Sequence, residues 1–262
     1  MVALKKPRRS VLPWLSALGL ATFLGAWIAA SSGSHTNALI LPSPLAVLET
    51  FARLTHEKFA NYTLQEHLAS SLLRFTLGFG AAATIGVPLG LAMGWYRYLD
   101  YIVSPLFEAV RFIAPIAWVP FAVLWFGTGI GGPILIIFAG AFPPCLINAY
   151  RGARHVDRKL IEAAQTLGAN DRRIIFNVLL PASLPAIIAG LRIGAGLGWQ
   201  SLIGAELIVV SAGVGYLMVQ GESNLNTSIV MAGMIAIGLV GAAIDVTLRF
   251  IEQRISAHRG AA

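Results

Sequence analysis

Charged side chains are scarce in this chain, so each one set inside an apolar run is a candidate for chemistry. Glu108 and Arg111 lie three residues apart, on one face of a helix. Asp245 and Arg249 lie four apart, and Arg74, Arg192 and Glu206 sit in other apolar runs. An ionisable group inside a bilayer is costly and marks a functional candidate by default. Arg111 lies nearest mid-depth, where it either meets an anion or pairs with Glu108. Arg192, Asp245 and Arg249 approach the inner surface and Arg74 the outer end, which favours snorkelling or structural pairing for those four. Glu108, Arg111, Trp118 and Glu206 are the candidates for a translocation path.

A second concentration is polar. Residues 162–181 read Glu162-Ala163-Ala164, then Gly168 after three intervening residues, then Leu180-Pro181 at the end, and they lie between two long apolar runs. Small residues at 163 and 164 allow a partner's close approach, and a glycine tolerates the left-handed turn found after many helix ends. Pro181, just ahead of an apolar run, would fix the angle at which the chain re-enters it.

Other chemistries find no support. The five histidines, at 35, 56, 67, 155 and 258, have no metal-ligand spacing. Cys145 stands alone in an apolar run and supports neither a disulfide nor a metal cluster. Gly127-Thr-Gly-Ile-Gly-Gly132 fits GxGxxG, but that motif grips dinucleotides only between a strand and a helix. Here it joins two apolar runs and reads as a turn. No phosphate-binding GxxxxGK[ST] occurs, and no serine has a nucleophile's neighbours. The chain carries no catalytic residue, metal site or cofactor of its own on this reading.

The elements that must position these residues follow from composition. Of 262 residues, 56% are hydrophobic and 12% charged, about half the charge of a soluble domain. Six runs are long enough to span a bilayer: 11–30, 68–95, 103–126, 132–150, 183–210 and 228–250. The first is longer than a signal-peptide core and is read as a span. The net charge of +7 suits topology rather than nucleic acid. Lys5, Lys6, Arg8, Arg9, Arg97, the six basic residues of the 151–182 loop, Arg249, Arg254 and Arg259 share one side, while Arg53 and Lys58 lie opposite. The positive-inside rule puts both termini and that loop in the cytoplasm. The expectation is a single all-α membrane domain over residues 1–262.

Within it, Ser31 to Ser34 end the first helix, and an amphipathic outer segment occupies 44–60. Ser43 would cap it and Leu45, Leu48, Phe51, Ala52 and Leu54 would form its apolar face. The cytoplasmic loop should hold two short helices, one capped by Asp157 and ending at Gly168, the other beginning at Asp171 and ending near Pro181. Two small-residue ridges recur every four residues: Gly78, Ala82, Gly86, Gly90 and Gly94 in the second span; Ala186, Gly190, Gly194 and Gly198 in the fifth. Such ridges let helices approach closely in lipid, either within the chain or between two copies of it. Prolines interrupt the second, third and fourth spans. The third, with Pro105, Pro115 and Pro120, is the best candidate to line a lumen.

The 162–181 stretch resembles the EAA signature of ABC importer permeases at every position except Val178, where the signature has Ile. Further segments resemble the permeases of the nitrate, taurine, sulfonate and bicarbonate importers: Leu41 to Pro44, Ser70 to Phe79, Ala117 to Pro120, Leu124 to Gly127, Gly190 to Gly194, and Trp199 with Ala205-Glu206. The resemblance implies a type I ABC importer permease fold in a bacterial cytoplasmic (inner) membrane. It implies a homodimer of this chain, separate ATPase subunits that bind ATP and Mg, and a periplasmic or lipid-anchored binding protein. It implies that Glu162, Ala163, Ala164, Gly168, Leu180 and Pro181 dock onto the ATPase. An alkanesulfonate or taurine is the first expectation for the cargo, nitrate or bicarbonate the second. A stand-alone channel or ion-coupled carrier is the rival class, but it has no use for such a loop.

Overall fold

The structure is a computed structural model and describes residues 12–32, 40–208 and 210–257. The basic residues at 5–9 and 259, and the turn expected at 33–34, lie outside the described residues. Among those described, the chain is almost wholly helical. Five helices are long and apolar enough to cross a membrane. They are α1 (Leu12–Ser32), α3 (Leu64–Trp95), α6 (Gly131–Arg154), the rod ending in α9 (Leu180–Glu206), and α11 (Thr227–Ala257). Between them lie α2 (Pro44–His56), α4 (Arg97–Val110), α5 (Val119–Phe126), α7 (Arg158–Thr166), α8 (Asp171–Ile174) and α10 (Val214–Ser223).

The expected third span is not one helix. α4 and the segment Pro115–Phe126 are bent by 89°. The cause is local: the residue before a proline is pushed out of the helical region, and Ala114 sits at φ −57°, ψ 137°. Pro115 then opens a 3₁₀ turn that leads into α5, where Pro120 is tolerated because it falls in the first turn.

The second loop helix also departs from expectation. It does not stop near Pro181. α8 passes through a π-helical segment (Ile175–Leu179) into α9, giving one rod from Asp171 to Glu206. A proline ring would meet the carbonyl four residues back, and the wider π turn ahead of Pro181 relieves that crowding.

α6 is the central member, with α3 on one side and α9 on the other. Both glycine ridges face it, so the ridge of Gly190, Gly194 and Gly198 is an intrachain contact and not a surface left for a second copy. A Cβ built on Gly194 would lie 2.8 Å from Cys145 Sγ and 3.0 Å from the Ala141 carbonyl. On Gly78 it would lie 2.7 Å from the Ile137 Cβ. Trp199 closes the slab on α11 by donating its indole N–H to the Ile237 carbonyl at 3.2 Å.

The outer end holds a second cluster made of Val47 and Leu54 of α2, Leu64, Val214, Leu217 and Ile229. Ser43 caps α2 as expected, accepting from the Ala46 N–H at 3.2 Å. Its buried face is Val47, Thr50 and Leu54, however, and Leu45 and Leu48 point away, 66% and 60% exposed. The core that α2 meets lies about a third of a turn from the stripe expected. Trp27 of α1 joins this cluster and donates to the Pro42 carbonyl at 3.2 Å.

Candidate functional site

Two places present unusual chemistry, one at the bend between α4 and α5 and one just beyond the C-terminal end of α6. At the bend, Arg111 closes the last turn of α4, its N–H bonded to the Phe107 carbonyl at 2.9 Å. Its Nε donates to Glu108 Oε2 at 2.7 Å and its guanidinium lies 4.3 Å over the Phe112 ring. The pair stays accessible, with side chains 32% and 55% exposed. Arg111 also borders a cleft of about 370 Å³ with Pro115, Pro143, Gln200, Ser201 and Gly204. Gln200 and Ser201 escaped the sequence reading. Their signal was a polar pair, one turn from Gly198, inside an otherwise apolar run. The Ser201 hydroxyl donates to the Leu197 carbonyl at 2.7 Å and keeps its lone pairs for another donor. A guanidinium, an amide and a hydroxyl lining one cleft can hold a small anion with little apolar surface.

Trp118 does not line this cleft. It borders an adjoining apolar hollow of about 320 Å³ with Phe107, Phe138 and Phe142, into which Arg111 also reaches. Glu206 lies in neither space. It is fully buried at the outer end of α9 and accepts from the Ser71 hydroxyl at 2.7 and 2.9 Å, from Arg74 at 2.9 Å and from the Gly215 N–H at 3.0 Å. Arg74 also donates to the Ala212 carbonyl at 2.7 Å. His67 continues the cluster, accepting from the Gly213 N–H at 3.1 Å and facing the Phe59 carbonyl at 3.1 Å through its other nitrogen. Gly213, at φ +127°, packs directly on the carboxylate, where a side chain would have no room. His67, Ser71 and Arg74 fall four and three residues apart on one helical face. That spacing was visible in the sequence, but their partner lay more than 130 residues away. Toward the other end, Arg192 pairs with Asp245 at 2.6 Å and Glu252 at 3.4 Å, and Arg249 with Asp245 at 3.2 Å.

The site at α7 is built from caps. The Asp157 carboxylate accepts from the Lys159 N–H at 3.0 Å and starts α7. At the far end Gly168 adopts φ +77°, its N–H bonds the Gln165 carbonyl at 2.9 Å, and the Ala169 N–H bonds the Ala164 carbonyl at 3.0 Å. This is the paired-bond Schellman ending that glycine favours. The helix that follows begins at Asp171 as expected, and Asn170 caps it, accepting from the Arg173 N–H at 3.0 Å. α7 has no buried residue. Leu160, Ala163, Ala164 and Leu167 form an apolar stripe at helical spacing, with Leu167 88% exposed. Glu162 is exposed, and Leu180 and Pro181 lie half-buried at the start of α9. A short, doubly capped helix with an open apolar stripe is shaped to fill a partner's groove.

Comparison with known proteins agrees with this geometry. The sequence model of the family described as "Binding-protein-dependent transport system inner membrane component" matches residues 86–257. The taurine transport system permease protein TauC of Escherichia coli (strain K12) is 36% identical over 94% of this chain and 90% of that protein. The putative aliphatic sulfonates transport permease protein SsuC of Bacillus subtilis (strain 168) is 34% identical over 96% of this chain and 90% of its own. Among solved structures, the inward-facing MetNI methionine ABC transporter superposes with a TM-score of 0.56 at 21% identity, covering 73% of this chain and 94% of that one.

Proposed function

Because this chain belongs to the family of binding-protein-dependent transport system inner membrane components, we propose that it forms half the pore of an ATP-driven importer for a small organic anion, with taurine or an alkanesulfonate first. Two copies would assemble with two cytoplasmic ATPase subunits, which bind ATP and Mg, and with a binding protein on the outer side. The observation that carries this reading is α7, a capped helix with an unpartnered apolar stripe. It supports docking on an ATPase through Ala163 and Ala164, with Glu162 meeting polar or basic groups and Gly168 setting the exit from the helix. The relatives' names support the substrate class, and Arg111 with Gln200 and Ser201 supplies the chemistry to receive an anion. Both termini lie in the cytoplasm on this reading, beside the basic 151–182 loop.

The test is uptake into proteoliposomes holding this permease, its ATPase and its binding protein. Taurine or an alkanesulfonate should enter on ATP addition; import of nitrate alone would move the cargo to the second class. Gly168→Val, which puts a β-branched side chain at positive φ, should leave the permease in the membrane and uncouple it, so that the ATPase dissociates or hydrolyses without transport. Normal ATP-driven uptake by both Gly168→Val and Ala164→Trp would sink the docking role.

A further inference from the structure

α4 is held in an unusual way. None of its residues is buried, and besides its contact with α3 it meets α6 at two points. Near its inner end, Asp100 accepts from the Tyr150 hydroxyl at 2.9 Å through Oδ2 and from Ser104 at 2.6 Å through Oδ1, with Arg154 NH1 at 3.8 Å. One heptad later, Phe107 meets Phe142 edge to face, ring centroids 6.3 Å apart. Beside that second contact lies the hollow of about 320 Å³, walled by Val103, Leu106 and Phe107 on one side and Phe138, Phe142 and Leu146 on the other. A helix beside a void lacks the close packing that fixes neighbours in a core, so α4 has room to swing on these supports.

The inner support stands at a telling place. Tyr150 and Arg154 belong to the last turn of α6, and Asp157, the cap of α7, follows three residues after Arg154. At the other end of α4, one turn beyond Phe107, is Arg111. We propose that Asp100 is a positioning residue: its bond to Tyr150 ties the helix that carries Arg111 to the base of the coupling helix, so that movement of α7 re-aims the guanidinium. The inference rests on the import reading. It adds a route through α4 to any motion of the slab itself. The carboxylate keeps 18% of its side chain exposed. A charged acceptor makes the stronger class of hydrogen bond, suited to pulling as well as pushing.

Tyr150→Phe removes one oxygen and keeps the ring, and Asp100→Asn keeps the shape and removes the charge. In the assembled importer each should retain ATPase binding and basal hydrolysis. Each should raise the ATP spent per anion delivered about tenfold or more, the scale expected for losing one charged hydrogen bond. Asp100→Glu should recover part of the loss. An unchanged ratio in Tyr150→Phe would overturn the proposal even if Asp100→Asn failed to assemble. A second readout is independent of transport. Cysteines introduced at Tyr98 on α4 and Gln165 on α7 can be spin-labelled in the purified permease, because native Cys145 is buried. Removing the Tyr150 hydroxyl should broaden the distance distribution between the labels, and an unchanged width would overturn the tie. Absence of ATP-driven uptake by the parent complex would count against the import reading alone, and the label distances would still decide the latch.

Discussion

The slab of α3, α6 and α9 and the bent pair α4–α5 lie side by side in the same membrane layer and are built on opposite terms. In the slab, glycines line the ridges where α3 and α9 meet α6, and at Gly78, Gly90, Gly94, Gly190 and Gly194 a single added methyl would collide with a neighbour. In the bent pair many side chains are large and outward, with Phe112 75%, Leu124 81% and Trp125 67% exposed, and its helices break beside a charged pair. Lipid offers no hydrophobic pressure to squeeze helices together, so closeness must come from shape and from polar bonds. The slab takes its fixity from both: the ridges along its length and the Arg74–Glu206 cluster at its outer edge. The bent pair has neither along most of its length. The close-packed slab and the loosely packed bend are thereby distinguished by side-chain volume before any charge is considered.

The contrast can be broken first at the outer edge of the slab. Arg74→Ala should cost about 3–5 kcal/mol, because it strands the Glu206 carboxylate in a buried setting; a detergent-solubilised permease that melted at the parental temperature would show that the cluster fastens nothing. Next comes the ridge. Gly194→Leu should cost about 1–3 kcal/mol by overpacking, or roughly 3–12 °C in Tm for a chain this long. Gly196→Leu, with nothing within 4 Å, is the matched control and should melt normally. Equal melting of the two would mean the ridge is not under compression. The bend should respond the other way. Arg111→Gln should change stability by less than about 1 kcal/mol, since an accessible ion pair is worth little, yet cut anion uptake severalfold with basal ATP hydrolysis retained. A large loss of stability there would show that Arg111 holds the fold as the slab's residues do. The smallest effect is expected for Glu108→Gln, near zero in Tm; a modest change in apparent anion affinity would reveal whether Glu108 competes with the anion for the guanidinium.

How much of this was open to sequence reading varies with the range of the forces involved. The caps of α7 were legible because Asp157 and Gly168 act on backbone groups within four residues of themselves. The ridges were legible as ridges, since a four-residue repeat is local, but the surface that fills them belongs to another helix. Hence Gly190, Gly194 and Gly198 could be assigned only once α6 was in place. Pro115 announced a break without its angle, because 89° depends on what α5 packs against: Val119 and Ala122 meet Ile136 and Ala205. α10 was missed altogether, being ten residues long and carrying Gln220 and Glu222, too short and polar to register as a span. Glu206 was taken as a path residue for its charge alone. Its closure by Ser71, Arg74 and Gly215 depends on contacts between distant stretches of chain, which no periodicity reports.

The continuous rod from Asp171 to Glu206 has 36 residues, or about 50 Å of axis. The hydrocarbon layer is about 30 Å thick and the headgroups bring it to about 40–45 Å. A shaft of that length, anchored at its outer end by a buried carboxylate, overshoots the bilayer and carries its inner tip into water. Arg172 and Arg173 then stand at or past the lipid phosphates, and α7 hangs beyond them. Leverage follows from length alone: a tilt of about 5° about the outer anchor carries the tip sideways by roughly 4 Å, close to one helical turn's rise, with no backbone bond broken along the way.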